Sequence, residues 1–529
     1  MFGSMYVGAT GAVALSNSIQ VTSNNLANVN TIGFKSSRTL FQDLMYQDQP
    51  GGYKSDGGTV YGAGAVGKGV SIADIMTDFR NGPYEAGTNV TDLAIAGDGF
   101  FKVVDGQANA FYTRAGNFRF DKEGVLRLPS GMALQGYAMD QQTGATAGST
   151  SDIHLPVVQE TINGQTVSVI RSLPQATGSV TMDTNLNSGS LDRSTDTSNP
   201  FFALAKAWDG TSSPPLADES FAYRSGIQVY DANGNAHTLN VYFDPASTGV
   251  GGLGAGGTRV WEYVVGVDPS EDGRSLVDSG AKGLLMAGTL TFNAAGNLTD
   301  QTAWIMDPSA SSAGNLSMWH LASLSADGHP QFDASFLSSG AAAAQQAIAL
   351  DFGIASDGTG WSTSNAATAA GIGSNASNLP SMNATPSGAL ATTSYSSSSV
   401  TLNQNQDGYA EGYLNYLTVD SKGVIAGHFT NGQTEGIYKL ALYDFTNDYG
   451  LRHEGGNLFS ATKESGAAIE GAAGEKGLGT VQQSTLEQSN VDMATEFANL
   501  IVNQRGFQAN TKVITTADSL ISTLEQVIR

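Results

Sequence analysis

The chain contains no cysteine. Structural disulfides, cysteine-ligated zinc and thiol nucleophiles are therefore excluded. Charge is also scarce: Asp, Glu, Lys and Arg make up 14% of 529 residues, and the acids prevail to give a net charge of −23. Such a surface repels phosphate, which argues against nucleic acid or an anionic membrane as a partner. No apolar run is long enough to insert in a bilayer. Met1 to Asn30 has no Lys or Arg and no apolar core of the signal-peptide kind, so the residues alone suggest a cytoplasmic protein without a cleaved leader.

Sites of chemistry are equally sparse. His154, His237, His320, His329, His428 and His453 show no metal-ligand spacing. His237, after an Asn-Gly pair, and His428, after a glycine, read as exposed strand-end residues. Asp351-Phe352-Gly353 copies three letters of a kinase magnesium motif without the rest of that set. Gly62-Ala63-Gly64-Ala65-Val66-Gly67 has a dinucleotide-like spacing but no strand-to-helix context. A secreted glycosidase needs two neighbouring carboxylates, and nothing in the sequence places such a pair. No enzyme activity, catalytic residue, cofactor or metal is expected.

What the chain does have is glycine, 65 residues of it, with abundant Ser, Thr and Asn. That composition suits turn-rich β structure, and the length suits about two to four domains. The two ends differ from the rest. Between Ser484 and Arg529 an apolar row recurs every seventh residue: Met493, Leu500, Phe507, Ile514, Ile521 and Ile528. Phe497, Leu520 and Leu524 add to it, and no proline interrupts. This predicts one long helix with a stripe that it cannot bury alone. At the other end Met5, Ala12, Ile19 and Leu26 form a row, with Leu15 on a companion row, in a helix weakened by Gly3, Gly8 and Gly11. The two helices are expected to pack together, with everything else inserted between them.

In between, the period changes to two. Leu93–Ala96, Phe100–Val104, Tyr413–Val419, Val424–Phe429 and Ile437–Tyr443 read as strands, and glycine pairs mark the turns. The expected fold is mainly β with long terminal α-helices, a nested and discontinuous multi-domain chain. Residues 1–34 and 484–529 form its helical part, and 35–69 and 466–483 are connectors. Residues 70–140 and 407–465 form an inner β domain. Residues 141–406 form one or more outer β domains, with 190–220 and 305–400 as insertions or an extra domain. Gly358 to Gln406 carries no charge at all and reads as a loosely folded surface insertion.

Ser23-Asn24-Asn25-Leu26-Ala27-Asn28-Val29-Asn30-Thr31-Ile32-Gly33-Phe34-Lys35 closely resembles the signature of the flagellar rod and hook protein family. Its signature positions here are Asn25, Asn28, Asn30, Thr31, Gly33 and Phe34. Asp92 to Phe101, Tyr112 to Phe118, Ser489 to Asp492 and Gln504 to Asn510 are similar to further segments of that family, in the same order. Val229 to Leu239, Gly288 to Phe292 and Gln406 to Gly412 resemble the outer domain of its hook members; its rod members are generally much shorter. The resemblance implies a structural subunit that polymerises into a short curved tube, a universal joint between rod and filament. It implies contacts with further copies of itself, with a distal rod protein, with hook cap and hook–filament junction proteins, and with the flagellar export apparatus. Export unfolded, without a cleaved signal, then replaces the cytoplasmic reading. A distal rod protein with an unusual insertion is the alternative, and a secreted glycan-binding protein or glycosidase acting through 140–405 is a distant one.

Overall fold

The computed structural model describes residues 2–48, 53–54, 60–61, 65–140, 144–162, 165–194, 196–246, 257–338, 341–342, 344–362, 366–385 and 390–528. Gly62 to Gly64 of the dinucleotide-like spacing lie outside the described residues, as does much of the glycine-rich tract before Gly69. Three α-helices stand out: α1 (Phe2–Ala27), the short α2 (Ala203–Ala207) and α3 (Met493–Ile528). The remaining regular structure is almost all strand. No helix among the described residues is long and apolar enough to cross a membrane. The chain divides into two compact units, residues 1–171 with 413–529, and residues 172–412.

In the first unit α1 lies along α3. At 36 residues α3 is about 54 Å long. It begins at Met493, not at Ser484 as the sequence suggested, because Asp492 caps it. The Asp492 Oδ1 accepts from the Ala494 N–H at 2.9 Å, and the Thr495 hydroxyl donates to Oδ2 at 2.8 Å. The preceding residues are committed elsewhere: Thr480–Gln483 pairs with Leu93–Ala96, and Thr485–Glu487 with Tyr84–Ala86. Residues 35–69, expected as a connector, also contain strand. Ser37–Asp43 pairs antiparallel with Val70–Thr77, so that Val70–Thr77 belongs to this hairpin and not to the β domain.

The large sheet of this unit interleaves two distant parts of the chain. Phe100–Val104 pairs with Ala110–Thr113, Ala133–Met139 and Thr434–Asp444, with Gly136 opposite Leu440. Val424–Phe429 and Gly412–Val419 continue from Thr434–Asp444. Ile469–Ala472, expected within a connector, instead extends the sheet beside Ala441–Asp444. Alternation sends Phe101, Val103 and Leu442 to one core with Leu93, Ile95, Phe118 and Leu134. Phe100, Tyr443 and Tyr112 go to the other face, where they meet Phe445 and Phe459.

The second unit is a β-sandwich. One sheet is a six-stranded meander, Tyr223–Tyr230, Ala236–Pro245, Arg259–Gly266, Leu284–Phe292, Leu298–Met306 and Trp319–Leu321. Gly234, at φ 83°, makes the tight turn that the Asn-Gly pair announced. The facing sheet has Ser179–Asn185 between Gln346–Asp351 and Val400–Gln406. Val180, Met182, Ile348 and Leu350 meet Val241, Tyr263 and Phe292 in the core between the sheets.

The uncharged stretch is not a loose insertion. Ala366, Ala369, Ile372 and Met382 are buried. With Phe201, Phe202, Trp208, Trp304 and Trp319, the first three close a second core on the outer face of the meander. A few well-spaced apolar residues are enough here, because Ser, Thr and Asn side chains satisfy backbone carbonyls: the Asn185 Nδ2 donates to the Ser398 carbonyl at 3.2 Å and Thr392 Oγ1 to the Met182 carbonyl at 3.1 Å. His237 is also a correction. It is buried, stacked on Phe336 with ring centroids 4.3 Å apart, and its Nδ1 lies 3.0 Å from Glu271 Oε2.

Candidate functional site

The seam between α1 and α3 is built from small and polar residues. On α1 the buried positions are Gly8, Gly11, Ala14, Ser18, Thr22 and Asn25, a heptad-like series. On α3 the residues turned inward include Asn503, Gly506, Asn510, Ile514, Ala517 and Ile521. The helices approach closely. A Cβ at Gly11 would stand 2.7 Å from Asn510 Oδ1, and one at Gly506 2.9 Å from Leu15 Cδ1. Asn503 Nδ2 donates to Ser18 Oγ at 2.9 Å. The α1 glycines that weaken the helix in isolation are therefore what lets it dock.

The large apolar residues fare differently. Met5, Ala12, Leu15, Ile19 and Leu26 of α1, and Leu500, Ile514 and Ile521 of α3, are half-buried. Met493, Phe497, Phe507, Leu520 and Leu524 are exposed, as are Ile501, Val502 and Val513; the side chain of Ile528 lies outside the described ones. The heptad row thus does not pack as one stripe against α1, because the shallow glycine seam takes smaller residues. At 100° per residue Val502, Val513, Leu520 and Leu524 fall within about 40° of one another, a continuous apolar row beside the seam. Met493, Phe497 and Ile501 form another, turned away from it. A cavity of about 350 Å³ lined by Val7, Leu15, Phe41 and Val70 opens between α1 and the Ser37–Asp43/Val70–Thr77 hairpin.

Below the helices the signature residues gather around a buried ion pair. Lys35 Nζ lies 2.5 Å from Glu487 Oε1, both side chains fully buried. Lys35 also donates to the Arg80 carbonyl at 2.8 Å. Glu487 Oε1 accepts from the Gly82 N–H at 2.9 Å, and Arg114 Nη1 stands 3.5 Å from Oε2. Burial pushes the Lys35 ammonium below the usual lysine range, and the Glu487 carboxylate pulls it part of the way back.

Around that pair the two chain ends are stitched together. Gly33 N–H donates to the Glu487 carbonyl at 2.8 Å, and Ser36 N–H to Asn490 Oδ1 at 2.8 Å. Asn490 Nδ2 reaches the Asp78 carbonyl at 2.7 Å. Gly33 has φ 69°, and a Cβ there would be 2.5 Å from the Ala115 nitrogen, so only glycine fits. Asn25 exchanges hydrogen bonds with the Ser37 backbone, at 2.7 and 3.0 Å, and reaches Glu496 Oε1 on α3 at 3.3 Å. Asn28 and Thr31 lock the turn after α1 through a 3.1 Å side-chain bond, and Phe34 N–H returns to the Thr31 carbonyl. Asn30 is exposed.

Sequence reasoning missed this node. The signal was present, since four of the quoted family segments supply a member: Lys35, Gly97 through its carbonyl, Arg114 and Asn490. Asn25→Ala is expected to cost about 1–3 kcal/mol, the range for stranding buried partners, read as a shift in the urea midpoint at unchanged slope. An unchanged midpoint would refute the role given to Asn25. Among the described residues no group of three His, Asp or Glu side chains is placed to hold a metal ion.

Family models match in order along the chain: flagella basal body rod protein at residues 5–35, flagellar hook protein FlgE/F/G D1 domain at 94–184, flagellar basal body protein FlaE D2 domain at 203–409, and flagellar basal body rod FlgEFG protein C-terminal at 482–527. The flagellar hook protein FlgE of Treponema pallidum is 30% identical over 535 residues, covering 99% of both chains. That of Escherichia coli is 28% identical over 515 residues, covering 97% of each. Helicobacter pylori flagellar hook protein FlgE2, a solved structure, aligns at 15% identity and TM-score 0.42 over 76% of this chain and all of that one, which adds nothing to the sequence match.

Proposed function

Because the chain belongs to the flagellar hook protein family, we propose that it is the structural subunit of the bacterial flagellar hook, polymerising into a curved, flexible tube that transmits torque from rod to filament. The observation that supports this reading is the exposed apolar surface of α3. An exposed helix of this length with two apolar rows needs further helices, and identical copies supply them. Burial of those rows contributes about 25 cal/mol per Å² to assembly. The subunit acts through its surfaces and catalyses nothing. Its other contacts are a distal rod protein at one end of the tube and the hook cap and junction proteins at the other. It reaches the cell exterior through the flagellar export apparatus.

Deleting the gene in its own bacterium tests the assignment. Electron micrographs should show rods without hooks or filaments, and the cells should not swim. Normal curved hooks on the deletion strain would overturn it. In monomer the seam of α1 and α3 is expected to exchange amide hydrogens readily and to gain protection on assembly.

A further inference from the structure

The second unit holds two acids where a β-sandwich has no evident need of them. Asp244, on the strand Ala236–Pro245, lies directly opposite Glu262, on Arg259–Gly266. Their exposures are 0% and 1%. Among the described residues no cation forms an ion pair with either. The further charge that acts on both is Asp192, of the same sign. Lys206 on α2 is engaged with Asp196, Arg193 points to solvent, and the neighbour of Glu262 on the next strand is the neutral Thr289.

Both acids hold the segment that covers the meander. Asp244 Oδ2 accepts from the backbone N–H groups of Arg193 and Ser194 at 2.8 and 2.9 Å, and Glu262 Oε2 from that of Leu204 at 3.0 Å. Between them sits the Ser194 hydroxyl, 2.9 Å from Asp244 Oδ2 and in a short contact with Glu262 Oε1. A hydroxyl carries a single hydrogen and can donate to one of these oxygens only. The other contact requires a proton on a carboxyl group. Asp244 Oδ2 already faces two N–H donors, so the proton belongs on Glu262.

We propose that Glu262 is held as the neutral acid and that its proton latches the covering segment, through the chain Glu262 O–H to Ser194 Oγ–H to the Asp244 carboxylate. Raising the pH removes this proton, leaves two buried anions around one hydroxyl, and releases Ser194 and α2 from the sheet. Burial, the larger cause, raises the Glu262 carboxyl well above the ordinary range and Asp244 to about 6. The sign follows from proton counting. Between the ordinary carboxylate range and the raised folded value, the folded protein binds more protons than the unfolded chain, so the latch is strongest at low pH and weakens as pH rises.

Full-length protein labelled with 13C-carboxyl glutamate tests this by infrared spectroscopy and hydrogen exchange across pH. At neutral pH a protonated carboxyl band should be present, and it should be missing in Glu262→Gln. As pH rises, the band should fade together with protection at Arg193, Ser194 and Leu204. Between the ordinary carboxylate range and the raised folded value the protection factor should drop about tenfold per pH unit, as one linked proton requires, and it should level off above. Glu262→Gln, whose amide can still donate to Ser194 Oγ, should keep its protection at all pH values. Asp244→Asn, which removes the neighbouring anion, should move the midpoint lower, with the band still following the protection. A wild-type spectrum without the band overturns the proposal even if neither variant folds, and so does protection that falls equally in Glu262→Gln.

Discussion

Glu487→Ala is expected to lower the thermal midpoint of the first unit by on the order of 10 °C. The substitution leaves Lys35 fully buried with no counter-charge, and strands the Gly82 N–H as well. Breaking one side of a buried pair costs about 3–5 kcal/mol, and in a unit of this size each kcal/mol is worth about 2–4 °C. Lys35→Met should cost less, because Arg114 and the Gly82 N–H remain on the carboxylate. The order of the two variants in calorimetry is the discriminating readout. Equal losses would mean that Glu487 acts through packing alone. In cells Glu487→Ala should give weak or absent hooks, since the node around this carboxylate joins the chain ends that carry α1 and α3.

The second large effect concerns assembly with folding intact. Replacing Val502, Leu520 and Leu524 together by aspartate should weaken subunit association by at least about 10²-fold, taking roughly 1 kcal/mol of lost apolar burial per residue. These side chains are 68%, 54% and 49% exposed, so the monomer should lose almost nothing. Sedimentation of the polymer against circular dichroism of the monomer separates the two. Unimpaired polymerisation would remove α3's row from the interface. Replacing Ala517, which is buried in the α1–α3 seam, should likewise be read in the polymer, since the seam is protected only after assembly.

The helices were legible in the sequence because heptad spacing is a local pattern, and the strands near Phe100 and Val424 because alternation is local too. The faces were not. Met493 to Ile528 reads as a single stripe, yet Gly8, Gly11 and Asn510 decide which side of it meets α1, and nothing in a hydrophobic period marks a glycine as a contact. The start of α3 was written in Asp492, a capping residue followed by Thr495, but the apolar rows beyond it drew the boundary too early, at Ser484 instead of Met493. Lys35 and Glu487 lie 452 positions apart, and no spacing rule connects them. The uncharged stretch misled for a related reason: composition reports how much can be buried on average, whereas Ala366, Ala369 and Ile372 are few but fall where the meander needs a cover.

The nested sheet of the first unit also sets a timetable. Phe100–Val104 cannot complete its pairing until Thr434–Asp444 has arrived, and Leu93–Ala96 waits for Thr480–Gln483. Whenever the chain emerges with its N-terminus first, residues 172–412 are continuous and can fold as they appear. The first unit must instead close a loop spanning most of the chain, a slow and entropically costly step. Its early half therefore stays open, with α1 unpartnered, until the last residues are delivered. Completion of the subunit is tied to completion of its passage, so a chain cannot present a finished assembly surface while part of it is still in transit.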